Sequence, residues 1–260
     1  MSLTAKQSGC RKLVPRSRSL VRDVLWLHRD VPTCVHHRDM NLSEVSEARS
    51  ALGERVSWPA IFLKGYGTVC ARHPRLLQTW QKWPIPHVFQ HETPVATVAV
   101  HRRYQDDDWL LWGKIRDPHS QSFLQLQAAL DRFTTGPVEE VFRQELQLAM
   151  LPTPLRRLVW WWNLNLCGEK RVKRTGSFLL TTLAGRGAEN PHPPSFLTSS
   201  ISYSPLRADG TCQVSIIYDH RLMDGAFVAD CLGELEKELN GDILENLRAM
   251  DSSNRDRNAA

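Results

Sequence analysis

Long apolar runs are missing from this sequence. The best candidate, Leu158 to Leu166, is interrupted by Asn163 and Asn165 and falls far short of the roughly 18 consecutive apolar residues of a spanning helix. A helical membrane span is therefore not expected. Paired cysteine spacing is missing too. The six cysteines (Cys10, Cys34, Cys70, Cys167, Cys212 and Cys231) are scattered, and no signal-peptide pattern precedes them. Neither a zinc cage nor a disulfide framework is indicated, and the thiols read as reduced residues of a cytoplasmic protein. Basic residues are not interleaved with aromatics as in a stacking platform, so no nucleic-acid partner is expected. No internal repeat, Gly/Ser linker or second domain is visible.

What is present suits one soluble globular domain: 260 residues, 42% of them apolar and 23% charged, enough to bury a sizeable core. The net charge of +5 is concentrated at the start, where residues 1–29 hold seven basic side chains against Asp23 alone. This reads as a solvated basic arm over 1–13, and it also has the Ser/Arg-rich look of a targeting segment. The main domain is expected over 14–247 and a polar, disordered tail over 248–260.

Periodicity supplies the elements. Leu20, Val24 and Leu27 recur at helical spacing, Thr33 to Asp39 reads as a strand, and Asn41 with Glu44 looks like a helix start for Glu44 to Leu52. A helix should follow Ser57 and Pro59 and run to His73. Pro94 to Ile115 reads as a hairpin turning at Asp106 to Asp108. Phe123, Leu126, Leu130 and Phe133 mark a helix, and Pro137 opens another with Val138, Val141, Phe142 and Leu146 on one side. Arg156 and Arg157 then lead into Trp160, Trp161 and Trp162. Three consecutive tryptophans cannot share one helix face, so at least one is expected to be exposed or at a subunit contact.

From Ser177 to Leu183 the pattern turns to strand. Leu197 to Ser204 and Cys212 to Tyr218 form a second hairpin around Asp209-Gly210. Val228, Leu232, Leu235 and Leu239 give a terminal helix ending at Asn240-Gly241. The fold class is thus α/β, a two-layer sandwich of mixed sheet covered by helices.

Between the last strand and the last helix stands Asp219-His220-Arg221-Leu222-Met223-Asp224-Gly225. A sharp strand-to-helix turn can hold a side chain rigidly at a site edge, and histidine titrates near neutrality, as a general base requires. A lone histidine at a strand end can equally be structural. Asp224 could hold the turn through an arginine, and Gly225 permits a backbone conformation that side chains would obstruct.

Asp-His-Arg-x-x-Asp-Gly resembles the active-site signature of the dihydrolipoamide acyltransferases, which are related to chloramphenicol acetyltransferase. Five specified positions arise by chance about once in ten thousand chains of this size. Val31-Pro32-Thr33 with Asp39-Met40-Asn41, Trp58 to Trp80 with its His73-Pro74, Thr97 to Asp117, and Gly176 to Leu183 are similar to further family segments. The resemblance implies a chloramphenicol-acetyltransferase-like fold and an acyltransferase that moves an acyl group between coenzyme A and a thiol or hydroxyl acceptor. His220 would be the general base, Thr181 the hydroxyl donor to the tetrahedral oxyanion with Thr182 as rival, and Asp224 the turn-former. It implies no tightly bound cofactor and no metal. Coenzyme A would be a substrate, a lipoyl group would sit on a separate carrier protein, and a homotrimer would place His220 of one subunit opposite Thr181 of the next. Arg171, Lys173 and Arg174 are possible contacts for coenzyme A phosphates, or simply a solvated basic turn.

Ala184 stands where the family has glycine, Gly185 to Pro194 has no counterpart, and Gly136 to Arg174 is longer and richer in tryptophan. These departures leave open a non-catalytic trimeric scaffold, or a peripheral membrane protein using the Trp-rich helix.

Overall fold

The computed structural model describes residues 9–166 and 168–259; the sequence readings for residues 1–8 and for Cys167 lie outside it. In chain order the elements are α1 (Ser19–His28), β1 (Thr33–Asn41), α2 (Ser43–Ala51), α3 (Trp58–Arg72), β2 (Gln78–Gln81), β3 (His87–Gln90), β4 (Val95–Tyr104), β5 (Asp107–Arg116) and α4 (Phe123–Thr135). There follow α5 (Val138–Val141), α6 (Arg143–Met150), α7 (Thr153–Asn165), α8 (Gly168–Thr175), β6 (Phe178–Leu180), β7 (Ser199–Tyr203), β8 (Thr211–Asp219), α9 (Gly225–Glu238) and α10 (Leu244–Ala259).

Six strands form one sheet in the order β1-β8-β7-β6-β4-β5, parallel only at β7-β6 and β6-β4, while β2 and β3 pair separately. The expected α/β class, a mixed sheet covered by helices, is what the chain adopts. Strand alternation sends Ala96, Val98, Phe178, Leu180, Ile201, Val214, Ile216 and Tyr218 to one face, where they pack in a single core with α3, α4 and α9. Phe62 of α3 stacks on Tyr203 at 4.1 Å, and the Tyr66 hydroxyl donates to Ser199 Oγ at 2.8 Å.

Part of the opposite face is roofed by α1, α6, α7 and α8. The pin between α1 and α7 is ionic: buried Asp23 accepts from Arg156 and, at 3.1 Å, from the Trp160 indole. Burying both charges together satisfies each, whereas removing one would strand the other. The pin fixes the rotation of α7. Trp160 turns inward while Trp161 and Trp162 are 41% and 55% exposed, as three consecutive tryptophans require.

Several boundaries differ from the sequence reading. The first hairpin turns at Gln105-Asp106, both at positive φ (51° and 59°), and Asp107 and Asp108 already belong to β5. Asn41 does not form a capping box with Glu44; it accepts from the backbone and hydroxyl of Ser43, and α2 begins there. The helix after Pro137 breaks at Phe142 (φ −117°, ψ 29°) into α5 and α6. The last helix does not stop at Gly241. That residue bends the chain (φ −104°, ψ −106°) without taking the left-handed capping conformation, and burial of Leu244 and Leu247 carries α10 onward. α10 runs through Ala259, within the stretch read as a polar tail. Among the described residues no helix is long and apolar enough to cross a membrane.

Candidate active site

The turn between β8 and α9 is held by its own sequence. Asp219, buried, accepts from the Arg221 guanidinium through both oxygens (2.8 and 2.6 Å) and from the Arg221 backbone N–H at 3.0 Å. Such a bidentate fork fixes geometry as well as charge. Arg221 also lies over the Trp80 ring at 5.4 Å and donates to the Asp30 carbonyl, and His220 N–H donates to the Pro32 carbonyl at 3.0 Å. The sequence reading gave Asp219 and Arg221 no role, although their two-residue spacing inside the motif was the available signal.

The exposed His220 ring lies 2.9 Å, through Nδ1, from the Met223 carbonyl. A carbonyl only accepts, so Nδ1 carries the hydrogen and Nε2 keeps its lone pair. The ring stands edge-on to Tyr218 at 5.7 Å, and the Tyr218 hydroxyl lies 3.1 Å from His36 Nε2. Burial pushes the Tyr218 hydroxyl pKa up, so it stays protonated. Gly225 has no positive φ; a Cβ there would stand 2.5 Å from His36 Nε2, so the His36 ring would have to shift to admit one.

Asp224 heads α9 in extended conformation (φ −102°, ψ 160°) without capping it by side chain. It is exposed, and among the described residues no arginine pairs with it. Arg221, the arginine within the motif, is committed to Asp219 two residues before it.

Thr181 follows β6, which is entered from α8 through Gly176 in the left-handed region (φ 85°). Its backbone N–H continues the sheet by donating to the Ile201 carbonyl at 3.1 Å, and it is half-buried. The two adjacent threonines now separate. The Thr182 hydroxyl donates to the Tyr203 carbonyl (2.9 Å) and accepts from Ala184 N–H (3.0 Å), whereas the Thr181 hydroxyl has no partner among the described residues.

Thr181 and His220 do not meet within one chain. Leu180 is level with Ile201 and Ile216; Thr181 lies one residue to one side of that level and His220 four residues to the other. Five residues at about 3.3 Å and two strand spacings of about 4.8 Å put them over ~15 Å apart.

The basic candidates also divide. They belong to helix α8, not to a turn. Arg171 is buried, its guanidinium donating to the Trp80 and Leu164 carbonyls, and burial lowers its pKa to about 10. It lies near enough to the Asp219–Arg221 pair to feel both charges and is not presented to solvent. Lys173 and Arg174 are exposed, and Arg174 donates to Asn163. Burial raises the thiol pKa of Cys212 to about 11 and of Cys231 to about 12, so neither is a nucleophile.

Beside Arg171, burial holds the His91 imidazole at about 4, with the guanidinium adding to the effect. In the unfolded chain His91 takes a proton near 6.5, and in the fold only near 4, so between these values the unfolded state binds more protons. Stability attributable to His91 is complete above pH 6.5 and should fall by up to about 3 kcal/mol as the pH drops toward 4. Urea unfolding at pH 7 and 4.5 should show this loss, and a His91→Gln variant should show a smaller one.

No family model matches the chain, and a search of curated proteins finds no similar sequence. Solved structures do match. The dihydrolipoamide acetyltransferase of Azotobacter vinelandii is 19% identical with a TM-score of 0.62, over 95% of this chain and 98% of that one. The truncated catalytic core of the 2-oxoacid dehydrogenase multienzyme complex from Thermoplasma acidophilum is 14% identical with a TM-score of 0.64, over 90% and 99%. A probable dihydrolipoamide acetyltransferase from Listeria monocytogenes is 12% identical with a TM-score of 0.61, over 91% and 96%. At these identities the likeness concerns the fold: this chain has the fold of the dihydrolipoamide acetyltransferase catalytic cores.

Proposed function

We propose that the chain is an acyltransferase moving an acyl group between coenzyme A and a thiol or hydroxyl acceptor, in sites shared between the subunits of a homotrimer. The observation that carries this reading is the His220 ring, tied through Nδ1–H to the Met223 carbonyl so that Nε2 is free to take a proton. As the acceptor's sulfur or oxygen attacks the thioester carbonyl, Nε2 removes its proton. The carbonyl oxygen becomes an oxyanion that receives a hydrogen bond from Thr181 of the neighbouring subunit. Collapse breaks the carbon–sulfur bond, and the departing coenzyme A thiolate takes the proton back from His220. The separation of Thr181 and His220 within one chain supports the shared site, as do the cores it resembles; for the Azotobacter enzyme a serine, a histidine and an asparagine have been investigated in the catalytic mechanism. A dihydrolipoyl group on a separate carrier is one acceptor of the required chemistry.

The test is a screen of acyl-coenzyme A donors against thiol, amine and alcohol acceptors. The reading expects turnover with at least one thiol or alcohol, abolished with His220; turnover confined to amines, or none, would count against it. One observation favours a second reading, the non-catalytic scaffold: α7 turns Leu155, Leu158, Trp162 and Leu166 outward along one stripe. A trimer without turnover under every pair would support it.

A further inference from the structure

The roof over the second sheet face covers a cavity of about 410 Å³ that is partly open to solvent. Its floor is Thr97, Trp112 and Leu179, and its walls include Val24 of α1, Leu148 of α6 and Trp160 of α7. Three of the four roofing helices, α6 to α8, come from the Gly136 to Arg174 stretch that departs from the resembled family. Most of the wall's polar side chains are already paired within the protein. Lys114 holds Glu145, Arg174 holds Asn163, Thr97 donates to the Thr175 carbonyl at 2.7 Å, and the Trp160 indole donates to Asp23. Apart from the solvent-exposed Gln144, a ligand there meets no side chain in need of a partner, so the cavity is matched to hydrocarbon and not to a head group.

The position of the cavity connects it to the site. Phe178 and Leu180 of β6 point into the core, and Leu179 points into the cavity. By strand alternation Thr181 shares the Leu179 face, about 7 Å further along. A carbonyl held at the Thr181 hydroxyl would therefore have the cavity directly down the same strand.

We propose that this cavity binds the alkyl tail of an acyl substrate, so that the enzyme handles medium-length fatty acyl chains rather than acetyl alone. The proposal rests on the acyl-transfer reading. At about 30 Å³ for each small group, 410 Å³ sets an upper bound of about fourteen groups, and a linear chain that leaves about a quarter of the space unfilled reaches roughly ten carbons. The tail could belong to the acyl donor or to an alkyl acceptor, and two probe series separate these: nonreactive S-alkyl coenzyme A thioethers, and 1-alkanols.

With full-length protein, affinity for the thioethers should rise about threefold to fourfold per added methylene until the chain reaches about ten carbons. Val24→Trp and Leu148→Trp plug the cavity from opposite walls. Either should abolish that rise beyond the first few carbons and leave the affinity for coenzyme A itself unchanged. A terminally brominated chain should quench tryptophan emission in the wild type, because Trp112 and Trp160 line the cavity; this readout needs no variant. Chain-length dependence seen with alkanols alone would overturn the fatty-acyl assignment and give the cavity to an alkyl acceptor. A flat dependence in both series, no quenching, or an unchanged slope in a folded plugged variant would overturn the proposal. Acetyl transfer that still depended on His220 would then stand by itself.

Discussion

Replacing His220 by alanine is expected to slow acyl transfer by about two to four powers of ten. The imidazole is exposed and contributes one hydrogen bond, to the Met223 carbonyl, so little folding stability depends on it. What fixes the turn is the Asp219–Arg221 fork and the backbone bond to Pro32, all of which survive the substitution. The loss should therefore appear in the turnover rate, with donor affinity and unfolding midpoint close to wild type. Single-turnover kinetics with a saturating donor separates the two. A comparable loss of donor binding would mean that His220 positions substrate instead of moving a proton.

Thr181→Val should slow the chemical step by about 10²- to 10³-fold, the effect of removing one donor from a developing oxyanion. Valine keeps the shape of threonine, and the Thr181 hydroxyl has no partner inside the chain to lose. Thr182→Val provides the contrast. Its hydroxyl joins the Tyr203 carbonyl to Ala184 N–H, so that variant should lose about 1 kcal/mol of stability per broken bond and keep most of its rate. If the two variants exchanged these phenotypes, the oxyanion donor would be Thr182.

The elements around the site were legible because each has its own strong signal. Alternation at Cys212, Val214, Ile216 and Tyr218 gave the last strand, and the spacing of Val228, Leu232 and Leu235 gave the following helix. The motif between them placed His220 in a turn. The choice between Thr181 and Thr182 was not legible, since neighbouring strand residues differ only in the face they take, and one extra ladder bond to Ile201 decides that.

The sequence left the arginine for Asp224 unnamed, and Arg221 does not supply it, for a local reason. Arg221 reaches Asp219 through both carboxylate oxygens, and a fork closed over two residues outcompetes a longer reach. Gly241 looked like a helix end because Asn-Gly usually is one, but the buried Leu244 and Leu247 beyond it outweigh that local preference. The roof over the second face was invisible for a different reason. Periodicity says which side of α7 is apolar, but not that Asp23 and Arg156 would bury together and turn that apolar side outward.

The central claim is that one site is built from His220 of one subunit and Thr181 of its neighbour, and co-assembly tests it most directly. His220→Ala and Thr181→Val chains, each nearly inactive alone, are unfolded or co-expressed together and allowed to form mixed trimers. With random mixing, about one site in four receives a wild-type His220 from one chain and a wild-type Thr181 from the other. The account predicts that the mixture regains about a quarter of wild-type activity; a mixture no more active than its two parents would contradict it.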